Sequence, residues 1–157
     1  MYSRGAHALV ASGRGVYAKI AVVILLVAVT IWAIASGVRG LAIVEGRSME
    51  PLFHTGDIVI LEKPDPSKIR VGTIIVYRDA GRYIIHRVIK IYKYGDTICY
   101  VVKGDNNPVP DPGLPPCPYQ SWYRGVPLTA VKGVVLAVHN VPVKIPYLGG
   151  LTLVVRG

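Results

Sequence analysis

At 157 residues the chain has room for one domain, and only about 115 residues follow its single long apolar run, enough for one small core. Lys and Arg outnumber Asp and Glu by 18 to 9, but the cations are scattered and form no basic run or helix, which argues against a nucleic-acid surface and for an anionic lipid surface beside a membrane segment. The four His and two Cys show no metal-ligand spacing, so no metal or other cofactor is expected.

Arg4, Arg14 and Lys19 precede the apolar run with no acid among them. Ile20 to Val38 carries no charge and is bracketed by Lys19 and Arg39. At a helical rise this run spans about 28 Å, close to a hydrocarbon core of about 30 Å. Trp32 near one end suits an interfacial anchor. The competing reading is a cleavable leader, since Ala33-Ile34-Ala35 before Ser36 resembles a small-residue cleavage site. The run is longer than a leader's apolar region and continues past that tripeptide, which favours a permanent span. The expected organisation is a tail over 1–18, an anchor over 19–39 and a β-rich domain over 40–157. The excess of cations before the run favours a cytoplasmic N-terminus.

Beyond the anchor the chain reads as short strands, at Ile58–Leu61, Thr73–Tyr77, Tyr83–Tyr92, Thr97–Lys103, Val131–Val138 and Leu151–Val155. They are rich in Val, Ile and Tyr and separated by Gly, Pro and Asp. Tyr94-Gly95-Asp96-Thr97 reads as a tight hairpin turn in which Gly95 and Asp96 can take positive φ. No helical period appears after residue 40, so the domain should be mainly antiparallel β. The exception is Gly104 to Leu128, where Pro108, Pro110, Pro112, Pro115, Pro116, Pro118 and Pro127 stiffen an irregular excursion. Cys99 and Cys117 are compatible either with a disulfide or with two buried thiols.

Three residue types in this domain can do chemistry together. Ser48 opens a Ser-Met-Glu-Pro turn just after the apolar stretch Leu41–Val44, where its hydroxyl can face outward. His86 sits inside the β-apolar run Tyr83–Ile89, and Asp105 and Asp111 lie on the proline-rich excursion. A serine becomes nucleophilic only when a base reaches it and a third group fixes that base's tautomer. Taken singly, such a serine is usually a turn residue, such a histidine a packed strand residue, and Asp105 in Gly-Asp-Asn-Asn a turn-former. Their order and setting make the stronger case.

Five boxes carry a resemblance over about Val44 to Val155: Ser48-Met49-Glu50-Pro51, Phe53-His54-Thr55-Gly56-Asp57, Ile85-His86-Arg87-Val88-Ile89, Lys103-Gly104-Asp105-Asn106-Asn107 and Ile145-Pro146-Tyr147-Leu148-Gly149-Gly150. In that order they resemble the type I signal peptidases, in their endoplasmic-reticulum and archaeal branch. The resemblance implies a single membrane anchor followed by a compact antiparallel β catalytic domain on the exported face. It implies a serine endopeptidase that removes signal peptides from preproteins after small residues, in association with the translocation machinery and without a cofactor. By motif position Ser48 is the nucleophile, His86 the general base, Asp111 its acidic partner and Asp105 a second important acid. Gly46-Arg47 departs from the family's usual Ser-Gly before the nucleophile, so a hydroxyl that could stabilise an oxyanion is missing. The Ser48 N–H and the Arg47 side chain are the candidate replacements. Pro110-Asp111-Pro112-Gly113 also departs from the family's acidic box, which leaves the choice between Asp111 and Asp105 open. The short chain and the lack of a second spanning helix favour an archaeal cell membrane over the reticulum. Two rivals are a peptidase using Lys90 as base and a noncatalytic β module that binds lipid or proteins. Apolar residues beside the serine, Leu52 and Phe53, are placed either in lipid or in the core.

Overall fold

The computed structural model describes residues 6–35 and 37–147. It divides into two units, Met1–Gly37 and Val38–Gly157. The first contains one helix, α1 (Ala6–Ala35). Within it, Gly15–Trp32 is long and apolar enough to cross a membrane, and none of that stretch is buried within the chain. The helix starts well before Lys19, and Val38 and Arg39, at the end of the expected 19–39 segment, belong to the first strand. Gly37 (φ +80°) donates its N–H to the Ile34 carbonyl at 3.2 Å, a left-handed ending that glycine allows without strain.

The second unit is mainly antiparallel β. Its strands are β1 (Val38–Ile43), β2 (Ile58–Glu62), β3 (Ile74–Asp79), β4 (Arg82–Tyr94), β5 (Thr97–Lys103), β6 (Tyr119–Gln120), β7 (Tyr123–Arg124), β8 (Val126–Pro127), β9 (Val131–Val135), β10 (Ala137–Val138), β11 (Val141–Pro142) and β12 (Lys144–Ile145). Seven of them run in the order β1-β2-β9-β3-β4-β5-β8, and β12 also pairs with β2. The expected strand Val131–Val138 is split: β9 pairs with β2 and β3, Leu136 adds one further bond to Ile60 O at 2.9 Å, and Ala137–Val138 then leave the sheet to pair with β11. In the β4–β5 hairpin only Gly95 takes positive φ, at +56°, and Asp96 does not. One left-handed residue at the first turn position suffices to match the twist of the strands. The strand expected at Leu151–Val155 lies outside the described residues.

β3 shows why the core forms where it does. Ile74, Ile75, Val76 and Tyr77 are all buried, so this central strand is covered on both faces and reads as an unbroken apolar run. On one face Ile75 and Tyr77 join Ile69, Val88, Tyr100, Val102, Val126 and Val131. On the other, Ile74 packs with Val44, Met49, Phe53, Val59 and Val135. Phe53 is fully buried in this second cluster, so it is a core residue and not a lipid contact. Cys99 and Cys117 are joined in a disulfide that staples the proline-rich excursion to β5.

Asp57 ties two distant boxes together. It is fully buried and accepts from Lys144 Nζ at 2.8 Å, His54 N at 3.1 Å and Tyr147 N at 3.2 Å. Lys144 also donates to Leu52 O at 2.8 Å. Burial pushes the Asp57 carboxyl up, but the Lys144 ammonium and the two backbone donors outweigh it and hold the group below the usual carboxylate range. The stabilisation is therefore complete above the ordinary carboxylate value and is lost as the pH falls through the lowered one. Asp57→Asn should cost about 3 kcal/mol of unfolding free energy at neutral pH. Denaturant titrations from neutral to acid pH should show that difference shrinking as the wild-type carboxyl protonates.

Candidate active site

Ser48 sits at the start of a turn whose neighbours are locked into the core. Met49 and Phe53 are both buried, and Phe53 N donates to Met49 O at 2.9 Å. Upstream, Val44 N bonds Asp57 O at 2.8 Å and Gly56 N bonds Val44 O at 2.9 Å, closing the loop at its base. Thr55 Oγ1 accepts from Gly46 N at 3.1 Å and donates to Gly46 O at 3.0 Å. The serine itself is half-buried and faces a groove of about 630 Å³. That groove is lined by the end of β1 and the residues after it (Ala42–Glu45), by the start of β4 (Arg82–Ile85), and by Ser48 and His86.

His86 is buried, as a strand residue with no partner in the apolar layer would not be. Its Nδ1 lies 2.5 Å from Asp111 Oδ2, with both side chains about nine-tenths covered. A carboxylate only accepts, so Nδ1 carries the donated proton, which in the neutral imidazole leaves the lone pair on Nε2. The Asp111 backbone is set by its N–H, which bonds Val102 O at the end of β5 at 2.9 Å. Tyr77 Oη donates to the same Asp111 oxygen at 2.6 Å. Burial first, and the Asp111 carboxylate second, push the Tyr77 phenol far above its ordinary value, so it stays a protonated donor.

The two candidate acids take different places. Asp105 is held by Arg87, whose Nε and Nη2 reach its two oxygens at 2.8 and 2.7 Å, while Arg87 Nη1 donates to Gly72 O at 2.9 Å. It makes no hydrogen bond to His86 among the described residues. Its box instead braces the serine: Asn106 N donates to Ser48 O at 2.8 Å and Asn106 Nδ2 to Arg47 O at 3.1 Å. Arg47 points its Nε at Glu50, 3.2 Å away, with its side chain 82% exposed. Its guanidinium is thus turned to a carboxylate rather than to the groove. The Ser48 N–H has no hydrogen-bond partner among the described residues. Lys90 Nζ bonds Tyr123 Oη at 2.5 Å, beyond the irregularity that breaks the β4–β5 register after Val88. His54 stacks on Tyr147, and His139 occupies a turn at φ +50°.

Sequence reading did not single out Tyr77, Gly104 or the Arg87–Asp105 pair. The Tyr77 signal was present but faint: a tyrosine at the end of an unbroken apolar run needs a partner for its hydroxyl. Among the described residues no cluster of three or more His, Cys, Asp or Glu could hold a metal ion.

A mainly β unit with a serine and a carboxylate-bound histidine on one groove has the layout of a serine hydrolase. A model of the Peptidase S24-like family matches residues 27–116, more than half of the chain and a range that includes Ser48, His86, Asp105 and Asp111. The chain belongs to the Peptidase S24-like family. It is also similar to the human signal peptidase complex catalytic subunit SEC11C, 44% identical over 77 residues, which are 47% of this chain and 40% of that protein. The signal peptidase complex catalytic subunit SEC11 of Scheffersomyces stipitis is 42% identical over 76 residues, covering 47% of this chain and 45% of its own length. The chain thus spans less than half the length of the curated relatives it matches.

Gly104 packs so closely on the serine turn that an added Cβ would lie 2.6 Å from Ser48 O and 2.8 Å from the Asn107 amide nitrogen. Gly104→Ala should therefore lower the unfolding free energy by about 1–3 kcal/mol. A denaturant titration reads this directly, and an unchanged midpoint would mean that the serine turn yields freely.

Proposed function

We propose that the chain is a membrane-anchored serine endopeptidase that removes signal peptides from exported preproteins after small residues. Ser48 is the nucleophile, His86 the general base and Asp111 the acid that orients it. The observation carrying this reading is the contact of Asp111 with His86, which lines one groove together with Ser48. With Nδ1 committed to Asp111, Nε2 takes the Ser48 proton as the hydroxyl attacks the scissile carbonyl, and returns it to the leaving amine. Water then hydrolyses the acyl-enzyme by the same route. The Ser48 N–H supplies one donor to the oxyanion.

Asp105 serves the site at one remove, by anchoring Arg87 next to His86 and by carrying the box that braces Ser48. The anchor keeps the peptidase unit at the bilayer, where cleavage sites emerge, and so replaces a three-dimensional search with a high effective concentration. The N-terminus is cytoplasmic and the β unit lies on the exported face. The names of the relatives speak of a complex, which supports association with partner subunits as part of the same proposal.

The test is preprotein processing by the full chain in liposomes, with each variant checked for folding by circular dichroism. Ser48→Ala should abolish cleavage, His86→Ala should leave a small residual rate, and Asp111→Asn should reduce the rate on the order of 10⁴-fold by favouring the wrong tautomer. Wild-type processing by folded Ser48→Ala would overturn the proposal.

A further inference from the structure

We infer that the Tyr77 hydroxyl is a positioning group for catalysis, which holds the Asp111 carboxylate in the one orientation that presents His86 to Ser48. This inference rests on the Ser48–His86–Asp111 reading above. Tyr77 acts through Asp111 and does not itself line the groove.

The placement follows from strand register. Ile75 of β3 lies opposite His86 of β4, and Tyr77 opposite Ile84. Residues two apart on a strand share a face, so Tyr77 and His86 are diagonal neighbours on the same buried layer. Asp111 enters that layer from an excursion without regular structure, fixed locally by its backbone bond to Val102 O. A backbone bond sets where the carboxylate arrives but leaves its side-chain torsions free. Two donors from two adjacent strands, Tyr77 Oη at 2.6 Å and His86 Nδ1 at 2.5 Å, converge on one oxygen and remove that freedom. The surrounding cluster is aliphatic (Ile69, Ile75, Val88, Val102, Val126, Val131) apart from Tyr100, whose own buried hydroxyl makes no hydrogen bond among the described residues.

Volume alone would be served by phenylalanine, so the hydroxyl is the part with a role beyond packing. Tyr77→Phe in the full chain should lower kcat for preprotein cleavage by about 10- to 100-fold, as expected for losing one hydrogen bond to a charged group, with KM within about twofold. The downfield proton resonance of His86 Nδ1–H should move or broaden in the same variant. Asp111→Asn and Ser48→Ala run alongside separate the two levels. If both are inactive while Tyr77→Phe keeps wild-type kcat and an unmoved resonance, the Tyr77 role is overturned and the triad reading stands. If folded Asp111→Asn or Ser48→Ala cleaves at the wild-type rate, the triad reading fails and this inference with it. Should Tyr77→Phe not fold, 3-fluorotyrosine at position 77 alone keeps the shape and strengthens the donor. The His86 resonance must then shift, and a resonance that stays in place overturns the inference.

Discussion

The contact between Asp111 and His86 requires a carboxylate to leave water and enter an apolar layer, and much of the surrounding structure is organised around that cost. A desolvated charge costs several kcal/mol unless its lone pairs are satisfied, and two donors on one oxygen answer that demand. The donors come from β3 and β4, which pair over six residues in the middle of the sheet, so their relative placement is set by the ladder. The acid comes from the least regular part of the unit, which therefore needs restraint from elsewhere. It has three such restraints: the prolines, the Asp111 N–H bond to Val102 O, and the Cys99–Cys117 disulfide a few residues on. A closed loop of this size is worth about 3 kcal/mol.

A second set of restraints acts on the serine. Ser48 lies in a turn, where a side chain would ordinarily sample several positions. Met49 and Phe53 anchor the turn from below, the Asn106 bonds hold it from the side, and the ion pair of buried Asp57 with partly exposed Lys144 ties its far end to β12. Ser48 and His86 thus belong to separately braced segments that share one groove. Under the proposed function, that bracing would let the sheet set the catalytic geometry.

Much of this was legible beforehand, and the limits have physical causes. The Val/Ile/Tyr runs of β2 to β5 and β9 could be read because period-2 burial and turn residues are local signals. The charge-free run before Arg39 was equally plain, but its boundaries were not. The helix α1 begins at Ala6, well before the charge-free run, and β1, paired with β2, begins at Val38. Ser48 and His86 stood out through their boxes. The division of labour between Asp111 and Asp105 did not, because it depends on which acid meets Arg87 and which crosses into the layer beneath β4. Tyr77 was hidden for the same reason: its partner lies 34 residues away along the chain. The disulfide was also undecidable from two cysteines, since only the fold shows that β5 and the excursion run side by side.

Energetic coupling between His86 and Asp111 is the most direct measure of whether their contact runs the chemistry. Processing rates of His86→Ala, Asp111→Asn and the double variant form a cycle in which groups acting as one unit give strongly non-additive losses. The double variant should be no slower than His86→Ala alone. Losses that multiply independently would contradict a shared role, and Asp111 would then be a structural acid.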